Sequence, residues 1–157
     1  WQRGTLVDGF SLAPLGGEWP GGDLAPIAGH RLFQNGVEFQ EYGWQGETAD
    51  GQQRAWLMWQ VLWQSADDTH FFVQMLDNSM RPLGQQDGDG YPTAYRLKGD
   101  RIINGFDIMT EVETLPGEYW LRAGQYLYPE VVNVPVLDGS GNPAGDVVLL
   151  GPVLEGP

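Results

Sequence analysis

From Val37 onward the chain breaks into short runs that read as extended, with apolar residues recurring at every second position, most plainly in Val37 to Tyr42. Glycine, proline or aspartate interrupts the alternation every ~8–12 residues. A period of two places successive side chains on opposite faces of an extended chain, so each run reads as a half-buried strand. Val37 to Tyr42 is one such run and Arg54 to Gln64 a longer one. His70 to Leu76, Arg101 to Glu113, Glu118 to Tyr128, Val131 to Leu137 and Gly145 to Leu150 follow. Ala49-Asp50-Gly51, Ser65 to Asp68, Leu115-Pro116-Gly117 and Asp138-Gly139-Ser140-Gly141 supply turns between them. No helical period is sustained. The pattern predicts an all-β, antiparallel β-sandwich, immunoglobulin-like or jelly-roll-like, of about eight to ten strands.

The alternation also assigns faces. Leu57, Trp59, Val61 and Trp63 share one side of their strand, which reads as the core side, so Trp63 is expected to be buried beside Trp59. Phe71, Val73 and Met75 share a side of the next strand, as do Tyr119, Leu121 and Ala123 of a later one. Residues 1–30 lack a period; they are read as a leader or linker that packs on the domain, with a short strand within Thr5 to Leu12, and residues 31–157 as the sandwich. Leu76 to Gly84 and Leu137 to Gly145 echo each other as strand, Leu-Asp turn, proline and glycine, which reads as two similar hairpins.

The 23 glycines and 11 prolines among 157 residues agree with frequent turns. Net charge is −13, and Lys98 is the only lysine. That charge opposes nucleic acid, whose phosphates call for a basic stripe, and opposes anionic lipid headgroups. With no cysteine, disulfides and thiolate chemistry are excluded together. No apolar run approaches the ~18 residues that a membrane span needs, so no direct membrane insertion by this segment is expected. The chain begins at Trp1 and reads as part of a longer protein.

Leu62-Trp63-Gln64, Phe72 to Asp77, Pro82 to Gly88, Gly90-Tyr91-Pro92-Thr93, Gly99 to Ile102 and Leu115 to Gly124 occur in an order and spacing that carry a resemblance. Together they resemble the soluble β-sandwich domain at the C-terminus of bacterial polytopic membrane glycosyltransferases similar to dolichyl-phosphate-mannose–protein mannosyltransferases. The resemblance covers roughly residues 33 to 152. It implies an extracytoplasmic accessory domain, at the cell surface or in the periplasm, with the parent membrane domain in cis. Catalytic carboxylates of that family lie in its membrane portion, so none is carried over here. The chain departs from the pattern at Gln74, where a histidine is expected, at Asn104, where an acid is expected, and at Tyr126-Leu127-Tyr128-Pro129, which replaces a Tyr-Asp turn.

The residues themselves offer little catalytic chemistry. His30 and His70 are the two histidines, both read as surface or strand-edge groups, and no Gly-x-Ser-x-Gly elbow accompanies them. The acid pairs Glu111 with Glu113 and Asp87 with Asp89 read as solvated charge. No catalytic residue and no metal ligand is assigned. No cofactor is expected, with calcium the one ion that short loop acids suit. Asp138 to Asn142 copies the start of a calcium loop, but Pro143 and Leu149 replace its required glycine and glutamate.

Aromatic residues remain. Trp44, Trp56 and Tyr42 are open to either packing or display. Asp87-Gly88-Asp89-Gly90-Tyr91-Pro92 reads as an obligatory loop, and Asp87, Asp89, Tyr91, Thr93 and Tyr95 are expected to contact a ligand there. Tyr126 and Tyr128 end a strand before Pro129 and form the second expected group. The ligand expected is a neutral or cationic glycan, neutral first, because −13 repels polyanions over a Debye length of ~8–10 Å. Three functions stay open: an accessory domain of a membrane glycosyltransferase, a free-standing carbohydrate-binding module, or a structural interaction or spacer domain.

Overall fold

The structure is a computed structural model and describes residues 10–11, 25–27, 29, 31–88, 91–110 and 117–155. Among these the chain forms thirteen strands and one 3-10 turn, Thr93–Tyr95. The strands are β1 (Phe10–Ser11), β2 (Ala25–Pro26), β3 (Leu32–Phe33), β4 (Val37–Glu47), β5 (Gln53–Val61), β6 (Thr69–Leu76) and β7 (Pro82–Gly88). After the 3-10 turn come β8 (Arg101–Thr110), β9 (Gly117–Leu127), β10 (Val132–Asn133), β11 (Val136–Leu137), β12 (Pro143–Gly145) and β13 (Val148–Glu155). All pairings are antiparallel, as the alternation predicts. No helix among the described residues is long and apolar enough to cross a membrane.

One path of hydrogen-bonded strands runs β10-β9-β6-β7-β8-β5-β4-β3-β11-β12, with β13 on β9, β1 on β8 and β2 on β4. It divides into two halves joined where β7 meets β8. Among the described residues, Gly84↔Thr110 and Gln85↔Met109 pair β7 with β8. A Cβ on Gly84 would lie 2.1 Å from the Met109 carbonyl oxygen, so this crossing accepts only glycine. The sheet curls back there and its two apolar faces meet. Trp59 of β5 stacks on Phe39 of β4 at 4.3 Å between ring centroids and meets Phe71 of β6, from the opposite half, at 4.7 Å. Around them Leu57, Ile102, Val73, Met75 and Leu121 are buried, as one-face alternation requires.

The two similar hairpins are similar down to their hydrogen bonds. At the β6–β7 turn, Asp77 Oδ1 accepts from the N–H groups of Ser79 and Arg81 at 2.7 and 3.0 Å. At the β11–β12 turn, Asp138 Oδ1 accepts from Ser140 and Asn142 at 2.8 and 2.9 Å. The left-handed position is Gly141 (φ 83°) in one turn and Met80 (φ 62°) in the other. Asp138 therefore acts as a turn cap.

Four expectations need correction. Trp63 is 43% exposed, not core. β5 ends at Val61, where the Leu62 N–H turns to the Gly36 carbonyl at 2.8 Å, and face parity does not extend past the last ladder bond. Asp87 and Gly88 belong to β7 and pair with Phe72 and Phe71, where a loop was expected. Val131 to Leu137 is two short strands, because the chain leaves β9 at Asn133 and joins β3 at Val136. The strand count exceeds ten because pieces such as β1, β2 and β3 are two residues long, too short to show a period. Within the expected leader, Phe10–Ser11 and Ala25–Pro26 pair with β8 and β4. His30, Asp89, Glu111, Glu113 and most of residues 1–30 lie outside the described residues.

Candidate functional site

The half-sheet made by β7, β6, β9 and β10 has an apolar inner face and a polar, aromatic outer face. Because Phe71, Val73 and Met75 point inward, His70, Phe72 and Gln74 point outward. Register then lines up their neighbours. Asn133, Tyr126 and His70 form one row across β10, β9 and β6. Arg122, Gln74 and Gln85 form another across β9, β6 and β7. Asp87 stands opposite Phe72, between the two rows.

At the end of this face lies an open cleft of about 600 Å³ lined by Asp68, His70, Asp87, Gly88, Pro92, Tyr126 and Tyr128. The Tyr128 ring, half exposed, lies parallel to the His70 ring, 4.3 Å between centroids and 5° between planes. Tyr126 Oη is 3.4 Å from His70 Nδ1 and also hydrogen-bonds the Asp87 carboxylate. Desolvation raises the Asp87 pKa above the usual carboxylate value, opposed by the positive charge available at His70 and by the Tyr126 hydroxyl. The carboxylate nevertheless keeps access to solvent.

A second cleft of about 320 Å³ adjoins the first and shares Asp87 and Tyr126 with it. Its floor is a directed chain of side-chain hydrogen bonds. Arg122 Nε donates to Gln74 Oε1 at 2.8 Å, Gln74 Nε2 donates to Gln85 Oε1 at 2.8 Å, and Gln85 Nε2 donates toward Asp87 Oδ1 at 3.5 Å. Asn133 Nδ2 donates to Asp146 Oδ2 at 3.0 Å on the far wall. Chained donors of this kind polarise one another and hold the amides in place before any ligand arrives.

Residues 91–96 are fastened to the start of β6 by a buried cation. Arg96 is 2% exposed; its Nη1 and Nη2 donate to Thr69 Oγ1 and Thr69 O at 2.7 and 2.9 Å, and its Nε donates to the Tyr91 carbonyl at 2.7 Å. The guanidinium lies 4.7 Å over the Phe71 ring, and burial pushes its pKa down to about 10. Thr93 Oγ1 accepts the Thr69 N–H at 3.1 Å. These bonds fix the start of β6 and hence the position of His70.

Of the residues expected to meet a ligand, Asp87, Tyr126 and Tyr128 come together from the two predicted groups. Tyr126 is 9% exposed, however, so it presents an edge and a hydroxyl where an open ring face was expected. Thr93 is buried and engaged with Thr69, and Tyr91 is half-buried against the core; both serve the fold. Tyr95 is exposed on the 3-10 turn and does not line the cleft. Asp89 lies outside the described residues.

Sequence reasoning missed His70, Asp68 and the Gln74–Gln85–Arg122 chain. Parity alone placed His70, Gln74 and Arg122 opposite core residues, which was the available signal; the register that aligns them was not. Among the described residues, no three His, Asp or Glu side chains gather as metal ligands. The arrangement offers an open aromatic face, carboxylate acceptors and fixed amides within one groove, a combination suited to C–H faces and hydroxyls in the same molecule. Searched against family models, curated proteins and solved structures, the chain has no match.

Proposed function

We propose that this chain is a non-catalytic glycan-binding β-sandwich domain whose ligand is a neutral sugar chain. The observation that carries this reading is the outer face of β7-β6-β9-β10. There the stacked Tyr128–His70 pair stands beside Asp87 and a pre-set row of amides. A sugar ring stacked on Tyr128 would direct its hydroxyls toward Asp87, Asp68 and Gln85. The net charge of −13 supports a neutral ligand over a sulfated or uronic one. In this reading the domain needs no cofactor. The resemblance carried by Pro82 to Gly88 and Leu115 to Gly124 supports an extracytoplasmic accessory role beside a membrane glycosyltransferase. The site would serve equally in a free-standing carbohydrate-binding module.

The test is calorimetric titration after a screen on a neutral-glycan array. Binding is expected with Kd from about 10 μM to 1 mM, equivalent to about −4 to −7 kcal/mol. Tyr128→Ala and Tyr126→Phe should each weaken it. Silence across the neutral panel, or binding confined to sulfated or uronic polymers, would overturn the reading and leave the spacer function in front.

A further inference from the structure

At the end of the molecule beyond β10, a third cleft of about 490 Å³ opens between the two halves of the sheet. Its wall is Trp63, the aromatic that parity expected inside. The indole is 43% exposed and lies flat on Gly36, where a Cβ would come within 2.6 Å of the ring. Gly36 also has φ of 87°, so both its backbone and the ring above it call for glycine. A large apolar ring is thus backed by bare main chain on one face and left open on the other.

Amides surround that open ring. Gln34, Asn35, Gln64 and Asn133 line the cleft, and Asp67 is its one charged lining residue among those described. Asn35 is rigidly held: its Nδ2 donates to Gln125 Oε1 at 2.8 Å and its Oδ1 accepts the Val37 N–H at 3.3 Å. Each of those groups keeps a further donor or acceptor site. Asn133 also lines the middle cleft, which in turn shares Asp87 and Tyr126 with the Tyr128 cleft. The three openings therefore adjoin one another in series.

From these observations we infer that the Trp63 cleft is a second sugar subsite, and that the ligand is a linear neutral oligosaccharide spanning both aromatic platforms. The inference rests on the glycan-binding reading above and adds the length of the ligand. Asn133, Tyr126 and His70 stand in register on adjacent strands, so His70 and Asn133 are about two strand spacings, roughly 10 Å, apart. Trp63 shares its cleft with Asn133. A ligand touching Tyr128 and Trp63 together must cross from one cleft to the other, which suits a chain of sugars over a single ring.

The experiment is calorimetry on the whole chain with maltohexaose, cellohexaose and mannohexaose, each beside its own disaccharide. Wild-type protein should bind at least one hexasaccharide about tenfold more tightly than the disaccharide, a 1.4 kcal/mol difference. Trp63→Ala should remove about that tenfold gain while leaving disaccharide affinity unchanged. Tyr128→Ala should weaken both. Gln64→Ala, at an exposed position with no packing role, should lower hexasaccharide affinity about threefold, so the inference stays testable if Trp63→Ala fails to fold. Wild-type hexasaccharide affinity in both Trp63→Ala and Gln64→Ala would overturn the second subsite while leaving the first in place. A wild-type protein that binds none of the three hexasaccharides would overturn both.

Discussion

Phe71 and His70 are neighbours in the chain and face opposite worlds. Phe71 belongs to the inner aromatic group, where Trp59 meets Phe39, Phe33 and Phe71 with centroids between 4.3 and 5.9 Å and no ring of the four is open to solvent. His70 belongs to the outer group with Tyr128, Tyr126 and Phe72, whose ring spacings run from 4.3 to 6.3 Å. Ring distances overlap, yet the two groups do different work. Each inner ring is closed off on both faces by other side chains, so its value is the apolar area removed from water. The outer group leaves the Tyr128 face open and sets hydrogen-bonding atoms beside it. Aromatic stacking alone therefore says nothing of function; what separates the groups is whether a ring face is left unfilled next to fixed polar atoms.

The comparison can be broken by truncating one ring at a time. Trp59→Ala should have the largest effect, lowering unfolding free energy by about 3–5 kcal/mol in urea titration. A loss below about 1 kcal/mol would show that the inner group is not the centre of the core. Trp63→Ala should lower stability by only about 1 kcal/mol, since its ring is already in contact with solvent on one face. The sequence parity that expected Trp63 in the core would demand the Trp59 value, so chemical denaturation of the pair distinguishes local pattern from tertiary outcome. Tyr128→Ala should lower stability by less than about 0.5 kcal/mol while weakening glycan binding about tenfold, the reverse of the inner-group signature.

The smallest effect concerns charge. The Asp87 pKa is raised by desolvation in the fold, so the folded state holds this proton more tightly than the unfolded chain. Stability from that proton is fully present below the unfolded carboxylate value and is lost as pH rises through the folded value. Asp87→Asn, which mimics the protonated form, should therefore raise the melting temperature at pH 7. The gain should stay under about 0.3 kcal/mol because solvent screens the group, and should fade as the pH is lowered toward the carboxylate range. A mutant less stable than wild type at pH 7 would show that the ionised carboxylate is the one the fold favours.

Much of the fold was legible from residue order. Side-chain alternation is set by the covalent geometry of an extended chain, so Leu57, Trp59, Val73, Leu121 and their neighbours declared the core face without knowledge of any partner strand. The paired Leu-Asp turns were legible for the same reason, because Asp77 and Asp138 bond to N–H groups only two and four residues away. Part of the candidate site was legible too: Asp87, Tyr126 and Tyr128 were singled out, and they line one cleft.

What tertiary structure alone decided is where alternation stops and which rows align. β5 ends at Val61 because Gly36 and Asp100, far away in sequence, take its last backbone bonds. That one event moved Trp63 from an expected core to an open cleft. His70 became a site residue only through its register with Tyr126, 56 residues away. Arg122, Gln74 and Gln85 likewise form a chain only because three strands pair in one particular alignment. Period is a local property of the backbone, whereas register and strand ends are set by hydrogen bonds between distant segments. The core could be read from the first; the groove exists only through the second.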